Sequence, residues 1–157
     1  MPLRITISKE NYLKAIYVLL GESTGRIANQ SIANKLEINP ATVTEMLHRL
    51  RDKKLIEYSR PEGARLTKVG KDLATKVVRK HRLWETFLVQ KLGFAWDEVH
   101  DVAEQLEHIQ SLLLIQKLDE FLNFPAFCKT TSLGWRVVRR MLLPSRLIFS
   151  IRMRTRF

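Results

Sequence analysis

The dipeptide Asn39-Pro40 constrains the local fold most strongly. Asn caps the free amides at a helix start, and proline at the first helical position has no amide to satisfy. After this start, apolar residues recur at the spacing of one helix face, at Val43, Met46, Leu47 and Leu50. The preceding segment, Gln30 to Leu36, carries a similar apolar face. The sequence therefore predicts two short helices joined by a tight turn.

A further helix and a hairpin flank this pair. An apolar stripe predicts a first helix, with Ser8 as its candidate N-cap and Gly21 at its end. After the third helix, residues 55–58 and 64–66 alternate as strands do, and Pro61-Glu62-Gly63 between them is typical of a turn. Three helices followed by a hairpin is the order of a winged helix-turn-helix. In that unit the third helix enters the major groove of DNA and the hairpin, or wing, follows the phosphates.

One polar set on the third helix and the wing is predicted to face DNA. Its helical members are small or hydrogen-bonding, which suits contact with base edges, and its wing members are cationic. The alternative is an ordinary solvated face, but the order of helices and hairpin favours DNA binding. The predicted set is Asn39, Pro40, Ala41, Thr42, Thr44, Glu45, Arg49, Arg60 and Arg65.

Three more helices are predicted after the wing. Thr67 caps a long fourth helix that stops at Gly93, Asp97 caps a fifth helix reaching about Gln110, and Ser111 caps a sixth. The fold class is mainly α, with a winged helix-turn-helix (three helices plus a β-hairpin wing) at residues 1–70 and a helical domain at 71–125. Residues 126–157 form an atypical basic tail.

Histidines and carboxylates cluster in the fourth and fifth predicted helices. His100, Glu104, Glu107 and His108 are spaced i, i+4, i+7 and i+8, which places them within an arc of about 100°. The fourth helix adds His81 and Glu85, one turn apart. Imidazole nitrogen and carboxylate oxygen suit divalent manganese or ferrous iron, although zinc and cobalt also bind such ligands. The alternative is a charged solvated face held by His–Glu pairs.

Enzymatic and membrane functions have little support. There is no His-Glu-x-x-His motif, and the single Glu-x-x-His pair, Glu45 and His48, does not make the two such pairs of a di-iron bundle. A single cysteine, Cys128, excludes an internal disulfide framework and a cysteine-cluster zinc site. No apolar run is long enough to cross a bilayer, and no secretory leader is evident. We expect a cytoplasmic protein that is not an enzyme and takes no small organic substrate.

The net charge of +11 is weak evidence for DNA binding, because of where it lies. Of the 27 basic residues, 8 lie after Phe121, where there is no acidic residue. The part of the chain before it therefore has 19 basic and 16 acidic residues, a net charge of only +3. The segment from Trp135 to Leu143 has the pattern of a short basic amphipathic helix. The abrupt change in composition favours a shifted reading frame or a truncation as the origin of this tail.

Four segments together resemble a known family. Residues 10–17, 42–47, 79–85 and 98–108 are similar to the iron- and manganese-dependent repressors related to the diphtheria toxin repressor and the manganese transport regulator. The resemblance extends over about residues 5–125. It implies a homodimer that joins winged-helix domains through a helical dimerisation domain and represses metal-homeostasis genes. Such proteins bind palindromic double-stranded operators when Mn²⁺ or Fe²⁺ is present.

The resemblance also implies two metal sites. His81, Glu85 and His100 correspond to one, and Glu104, Glu107 and His108, with Asn11 from the first helix, correspond to the other. Asn11 stands where the best-known members have Met or Asp, and Glu104 where iron-type members have Cys, so the identity of the metal stays open. Two other functions also stay open. One is a winged-helix regulator that does not respond to metal, and the other is a metal-binding helical protein that does not bind DNA.

Overall fold

The computed structural model describes residues 6–21 and 25–125. In chain order, its elements are α1 (Ile7–Leu20), α2 (Asn29–Leu36), α3 (Pro40–Asp52), β1 (Ile56–Ser59), β2 (Gly63–Leu66), α4 (Lys68–Leu92), α5 (Val99–Leu106) and α6 (Leu112–Phe121). The predicted winged helix-turn-helix and the helical segment after it are both confirmed. The predicted tail lies outside the described residues.

The three N-terminal helices and the wing enclose one apolar core. Its fully buried side chains come from each predicted apolar face and include Leu13, Ile16, Ile32, Leu47 and Leu50. Burial of each such side chain contributes roughly 1.5 to 3 kcal/mol relative to exposure. This core holds α2 and α3 against α1, so the outward face of α3 has a fixed orientation.

The wing is a two-stranded antiparallel hairpin, with Ile56 opposite Leu66 and Ser59 opposite Gly63. A backbone pair that the sequence analysis did not predict extends it, since Ile27 and Ala64 exchange two N–H···O bonds of 2.8 Å. Gly63 permits this approach. It has a φ of +90°, and a Cβ there would lie 2.3 Å from the carbonyl oxygen of Ile27. The segment before α2 is thereby tied to the wing.

Helix starts were predicted correctly where a local side chain caps them. Asn39 accepts a hydrogen bond from the Ala41 amide, and Thr67 and Ser111 cap α4 and α6 in the same way. The two other predicted caps are wrong. The helix α1 begins one residue before Ser8, with Thr6 at its N-cap, and α5 begins at Val99 instead of directly after Asp97. Neither of these two starts has a side-chain cap.

The helix α4 belongs to both halves of the molecule. Ala74, near its N-terminus, packs in the winged-helix core, whereas Leu83, Trp84 and Leu88 form a second core with α5 and α6. The predicted domain boundary at residues 70 and 71 falls in the first turn of this helix. This 25-residue helix therefore connects the winged-helix core with the C-terminal helices. Within the described residues, no helix is both long and apolar enough to be a membrane-spanning candidate.

Candidate metal centre and DNA interface

Three predicted ligands converge between α4 and α5. His81 Nε2 lies 3.0 Å from Glu85 Oε1 and 3.1 Å from His100 Nδ1, and the last two atoms are 3.5 Å apart. Ligand atoms about 2.1 Å from one ion, at angles between those of an octahedron and a tetrahedron, lie roughly 3.0 to 3.4 Å apart. The spacing of these three atoms therefore fits one face of a metal coordination shell.

Glu107 orients His81 for this role. Its Oε2 lies 2.6 Å from His81 Nδ1, and because an ionised carboxylate only accepts, Nδ1 carries the proton. A neutral His81 then presents the lone pair of Nε2 to Glu85 and His100, the tautomer that a metal ion requires. Both His81 and Glu107 are buried, with exposed fractions of 3% and 1%.

Hydrogen bonds and nearby charges shift the pKa values of the buried groups in this cluster. Burial disfavours charge on His81, but hydrogen bonds to Glu107 and Glu85 outweigh this and raise its pKa above the ordinary value. Burial likewise opposes ionisation of Glu85, yet hydrogen bonds from His81 and Arg82 and their positive charges lower its pKa to about 2. The pKa of Glu107 is also lowered against the effect of burial, by His81 and Lys14. The carboxylates are thus ionised and attract positive charge.

The second predicted ligand group has a different arrangement from the one expected. Glu107 and His108 lie in the turn just after α5, which ends at Leu106 instead of reaching Gln110. The Lys14 ammonium lies among the carboxylates, 3.1 Å from Glu104 Oε1 and 2.8 Å from Glu107 Oε2. His108 Nε2 faces Glu107 Oε1 at 3.6 Å.

The contacts of the first helix with this cluster come from Glu10 and Lys14, on either side of the predicted ligand Asn11. Asn11 is half-buried, and no hydrogen bond found among the described residues joins it to the cluster. Its neighbour Glu10 instead holds His108 Nδ1 at 2.6 Å through Oε2. The sequence analysis missed Glu10 and Lys14. Their i, i+4 spacing, which places both on one face of α1, was the available signal.

The predicted DNA-facing residues of α3 divide into two groups. Ala41, Thr42, Glu45 and Arg49 are exposed, and Glu45 pairs with Arg49. Thr44 is half-buried, and its hydroxyl donates to the Pro40 carbonyl and accepts from the Asn29 side chain, each at 3.0 Å. Thr44 therefore helps to hold α2 against α3. Asn39 and Pro40 form the exposed start of α3.

Both wing arginines are exposed. Arg60 lies in the turn between the strands, and Arg65 lies on β2, where it pairs with Glu57 at 2.7 Å. Arg26 also contacts Glu57, at 3.3 Å, from the segment that joins the wing edge. The third helix and the wing thus present polar and cationic side chains to solvent.

A helix-turn-helix with a wing, followed by helices that carry a His–Glu cluster, defines the class of metal-responsive DNA-binding regulators. Two family models match the chain. Residues 4–64 match "Iron dependent repressor, N-terminal DNA binding domain", and residues 67–141 match "Iron dependent repressor, metal binding and dimerisation domain".

Curated relatives agree with these matches. The chain is 32% identical over 119 residues to the HTH-type transcriptional regulator MntR of Oceanobacillus iheyensis, covering 76% of this chain and 80% of that protein. It is 35% identical over 116 residues to the iron-dependent repressor IdeR of Mycobacterium bovis, which covers 74% of this chain but only 50% of IdeR. The chain belongs to the iron-dependent repressor family, as its motifs predicted.

Solved structures of similar proteins share the fold. The manganese regulator SloR superposes with a TM-score of 0.70 at 39% identity, over 87% of this chain and 65% of SloR. A manganese-dependent transcriptional repressor in complex with manganese gives a TM-score of 0.70 at 36% identity, over 76% of this chain and 54% of the other. The chain thus spans about half to two thirds of these longer relatives.

Proposed function

We propose that this chain is a metal-dependent transcriptional repressor that controls manganese or iron homeostasis genes. The observation that carries the proposal is the convergence of His100 from α5 with His81 and Glu85 on α4, the helix that is also part of the winged-helix core. Membership of the iron-dependent repressor family supports it, and so do relatives named as regulators. It acts on DNA in the cytoplasm, with no catalytic step and no small organic substrate.

The bound metal would be Mn²⁺ or Fe²⁺. His81, Glu85 and His100 would hold one ion, and Glu104, Glu107 and His108 would hold a second, with Asn11 as an additional ligand from α1. The absence of thiolate from both sets favours ions that accept oxygen and imidazole donors. Bound metal supplies positive charge that draws these carboxylates and imidazoles together.

The link to DNA runs through α1 and α4. Glu10 and Lys14 on α1 contact the turn after α5, so a change in the geometry of that cluster reaches the winged-helix core directly. Metal then favours the conformation whose two recognition helices match successive major grooves, about 34 to 36 Å apart. A typical coupling of about 1 to 3 kcal/mol raises operator affinity roughly 5- to 150-fold.

The operator would be palindromic double-stranded DNA, bound by a homodimer. Asn39 to Thr42, Glu45, Arg49 and the wing residues Arg60 and Arg65 would contact it, while Thr44 supports them from the α2–α3 interface. Large exposed apolar side chains lie on the C-terminal helices, including Leu112, Leu113 and Phe121 of α6. Such side chains are suited to burial against a second copy of the chain.

Footprinting of genomic fragments tests the proposal. We expect the purified chain to protect a discrete palindrome when Mn²⁺ or Fe²⁺ is added, and to release it when a chelator is added. A footprint that is unchanged by chelator would indicate a regulator that does not respond to metal. Metal binding without any footprint would indicate a metal-binding protein that does not act on DNA.

A further inference from the structure

The Lys14 ammonium has the surroundings of a bound cation. Its Nζ donates to three carboxylate oxygens, Glu104 Oε1 at 3.1 Å and both oxygens of Glu107 at 3.0 and 2.8 Å. An ammonium has three N–H donors, so these contacts satisfy all of them. The Lys14 side chain is 15% exposed and Glu107 is 1% exposed, whereas Glu104 is 52% exposed, so the site is buried on the Glu107 side and open to solvent at Glu104.

The ammonium lies at only one of the two candidate metal sites. It is 3.5 Å from His81 Nδ1, the ring atom directed to Glu107, whereas Glu85 and His100 gather at Nε2 on the other side of the ring. Lys14 therefore leaves the His81, Glu85 and His100 group open. It occupies the carboxylates of the other group, which Glu104, Glu107 and His108 form.

We propose that Lys14 is a tethered cation that competes with divalent metal for Glu104 and Glu107. An ammonium and a divalent ion compete for these oxygens, because two cations within about 3 Å repel strongly and both depend on the same carboxylate charge. Metal enters this site only when Lys14 leaves it. Lys14 thus sets how many ions the chain holds and at what concentration the second one binds.

The competition also gives the metal-free protein a link between its halves. Lys14 is on α1, a helix whose apolar face is part of the winged-helix core. Of its carboxylate partners, Glu104 is on α5 and Glu107 follows it. While the ammonium is in place, it joins these elements without metal. Entry of a second ion would replace the lysine as the partner of Glu107, so the α1 contact changes as the site loads.

Calorimetric titration with MnCl₂ at fixed pH tests this competition. The inference rests on the proposed function in one respect, that the chain binds metal. The variants are Lys14→Met, which removes the charge, Lys14→Arg, which keeps it, and Lys117→Met, which removes the exposed partner of Glu120 on α6. We expect one tightly bound ion per wild-type chain. In Lys14→Met we expect a second ion bound about 10- to 100-fold more tightly than in wild type, the size of effect typical of residues beside metal ligands.

Thermal unfolding provides a readout that is independent of operator binding. Without metal, Lys14→Met should unfold at a lower temperature than wild type, because Glu107 loses its ammonium. Mn²⁺ should then raise its unfolding temperature more than that of wild type. Lys14→Arg and Lys117→Met should behave as wild type in both assays. Lys14→Gln, whose amide still donates to Glu107, takes the place of the methionine variant if the latter does not fold.

The outcomes separate this inference from the proposed function. Equal ion number and equal affinities in wild type and both neutral variants would overturn the role of Lys14 while leaving metal binding intact. Tighter second-ion binding in Lys14→Arg as well would also overturn it, since the effect would not depend on charge. Failure of every chain to bind Mn²⁺ would overturn the proposed function and this inference with it.

Discussion

At the scale of the residue, His81 is the most constrained side chain of the candidate centre. Each of its ring nitrogens lies against a carboxylate, Nδ1 against Glu107 and Nε2 against Glu85. A neutral imidazole has one N–H, so satisfying both contacts requires either a second proton or a metal ion. Hydrogen bonds to Glu107 and Glu85 raise the pKa of His81 against the effect of burial, so a divalent ion at Nε2 would compete with a proton.

His100 allows the metal role to be tested with little effect on packing. It is 56% exposed, so removal of its ring costs little folding free energy. We expect His100→Ala to lower Mn²⁺ affinity by at least about tenfold, because a direct ligand is lost. Loss of a residue that only supports a ligand already lowers metal affinity by about 10- to 100-fold. Calorimetric titration measures this change.

The matched control for His100 is His48→Ala. His48 contacts Tyr58 edge to face at 5.2 Å in the winged-helix half and lies outside the cluster. Its removal should leave Mn²⁺ affinity unchanged. If His100→Ala binds Mn²⁺ as tightly as wild type, the group formed by His81, Glu85 and His100 is not the metal site.

At the scale of the element, predictability depended on the range of the interaction. The starts of α3, α4 and α6 follow from Asn39, Thr67 and Ser111, whose side chains reach amides two or three residues away. The end of α5 depends on distant contacts instead, since His108 turns to Glu10, 98 residues earlier in the chain. The sequence analysis extended this helix to about Gln110, because the local spacing of residues contains no information about that contact.

The wing edge makes a prediction about stability. A methyl group at Gly63 would lie 2.3 Å from the Ile27 carbonyl oxygen, and the φ of +90° is strained for any L side chain. We expect Gly63→Ala to reduce the free energy of unfolding by about 2 to 4 kcal/mol, since backbone strain and the loss of the Ile27–Ala64 pairing add together. Urea unfolding measures this loss.

Gly93→Ala is the control that isolates strain from contact. Gly93 also has a positive φ, of +71°, but a Cβ there meets nothing within 4 Å. It should cost only about 1 to 2 kcal/mol, the strain of a left-handed residue alone. Equal losses for the two variants would mean that the Ile27 contact contributes nothing to the stability of the wing.

At the scale of the whole molecule, the fold class and the family were predictable, whereas the arrangement of charges was not. Helical and strand periodicity reports which side of each element is buried, and that was enough to predict the winged helix and the helices after it. Pairing between α1 and the turn after α5 joins residues more than 90 positions apart. The spacing of His and Glu residues predicted ligands on α5, but it could not show that Lys14 lies between Glu104 and Glu107.

The exposed start of α6 carries the last prediction. Leu112 and Leu113 are 75% and 66% exposed, and large apolar side chains grouped in this way are suited to burial in an interface. The family model that includes these residues describes a dimerisation domain. We expect Leu113→Glu to shift the chain from dimer to monomer in sedimentation equilibrium, because burial of an unpaired carboxylate at an apolar interface is costly.

Operator binding should follow the change in assembly state. A monomer presents one recognition helix, so it loses the second half-site of the proposed palindrome and the affinity that simultaneous binding provides. Mn²⁺ binding should be unaffected, since its candidate ligands all lie within one chain. Gln116→Glu adds the same charge at an exposed polar position of α6 and should remain dimeric. If Leu113→Glu instead remains dimeric and still binds the operator, the interface lies elsewhere, with Trp96 between α4 and α5 as the next exposed apolar position to substitute.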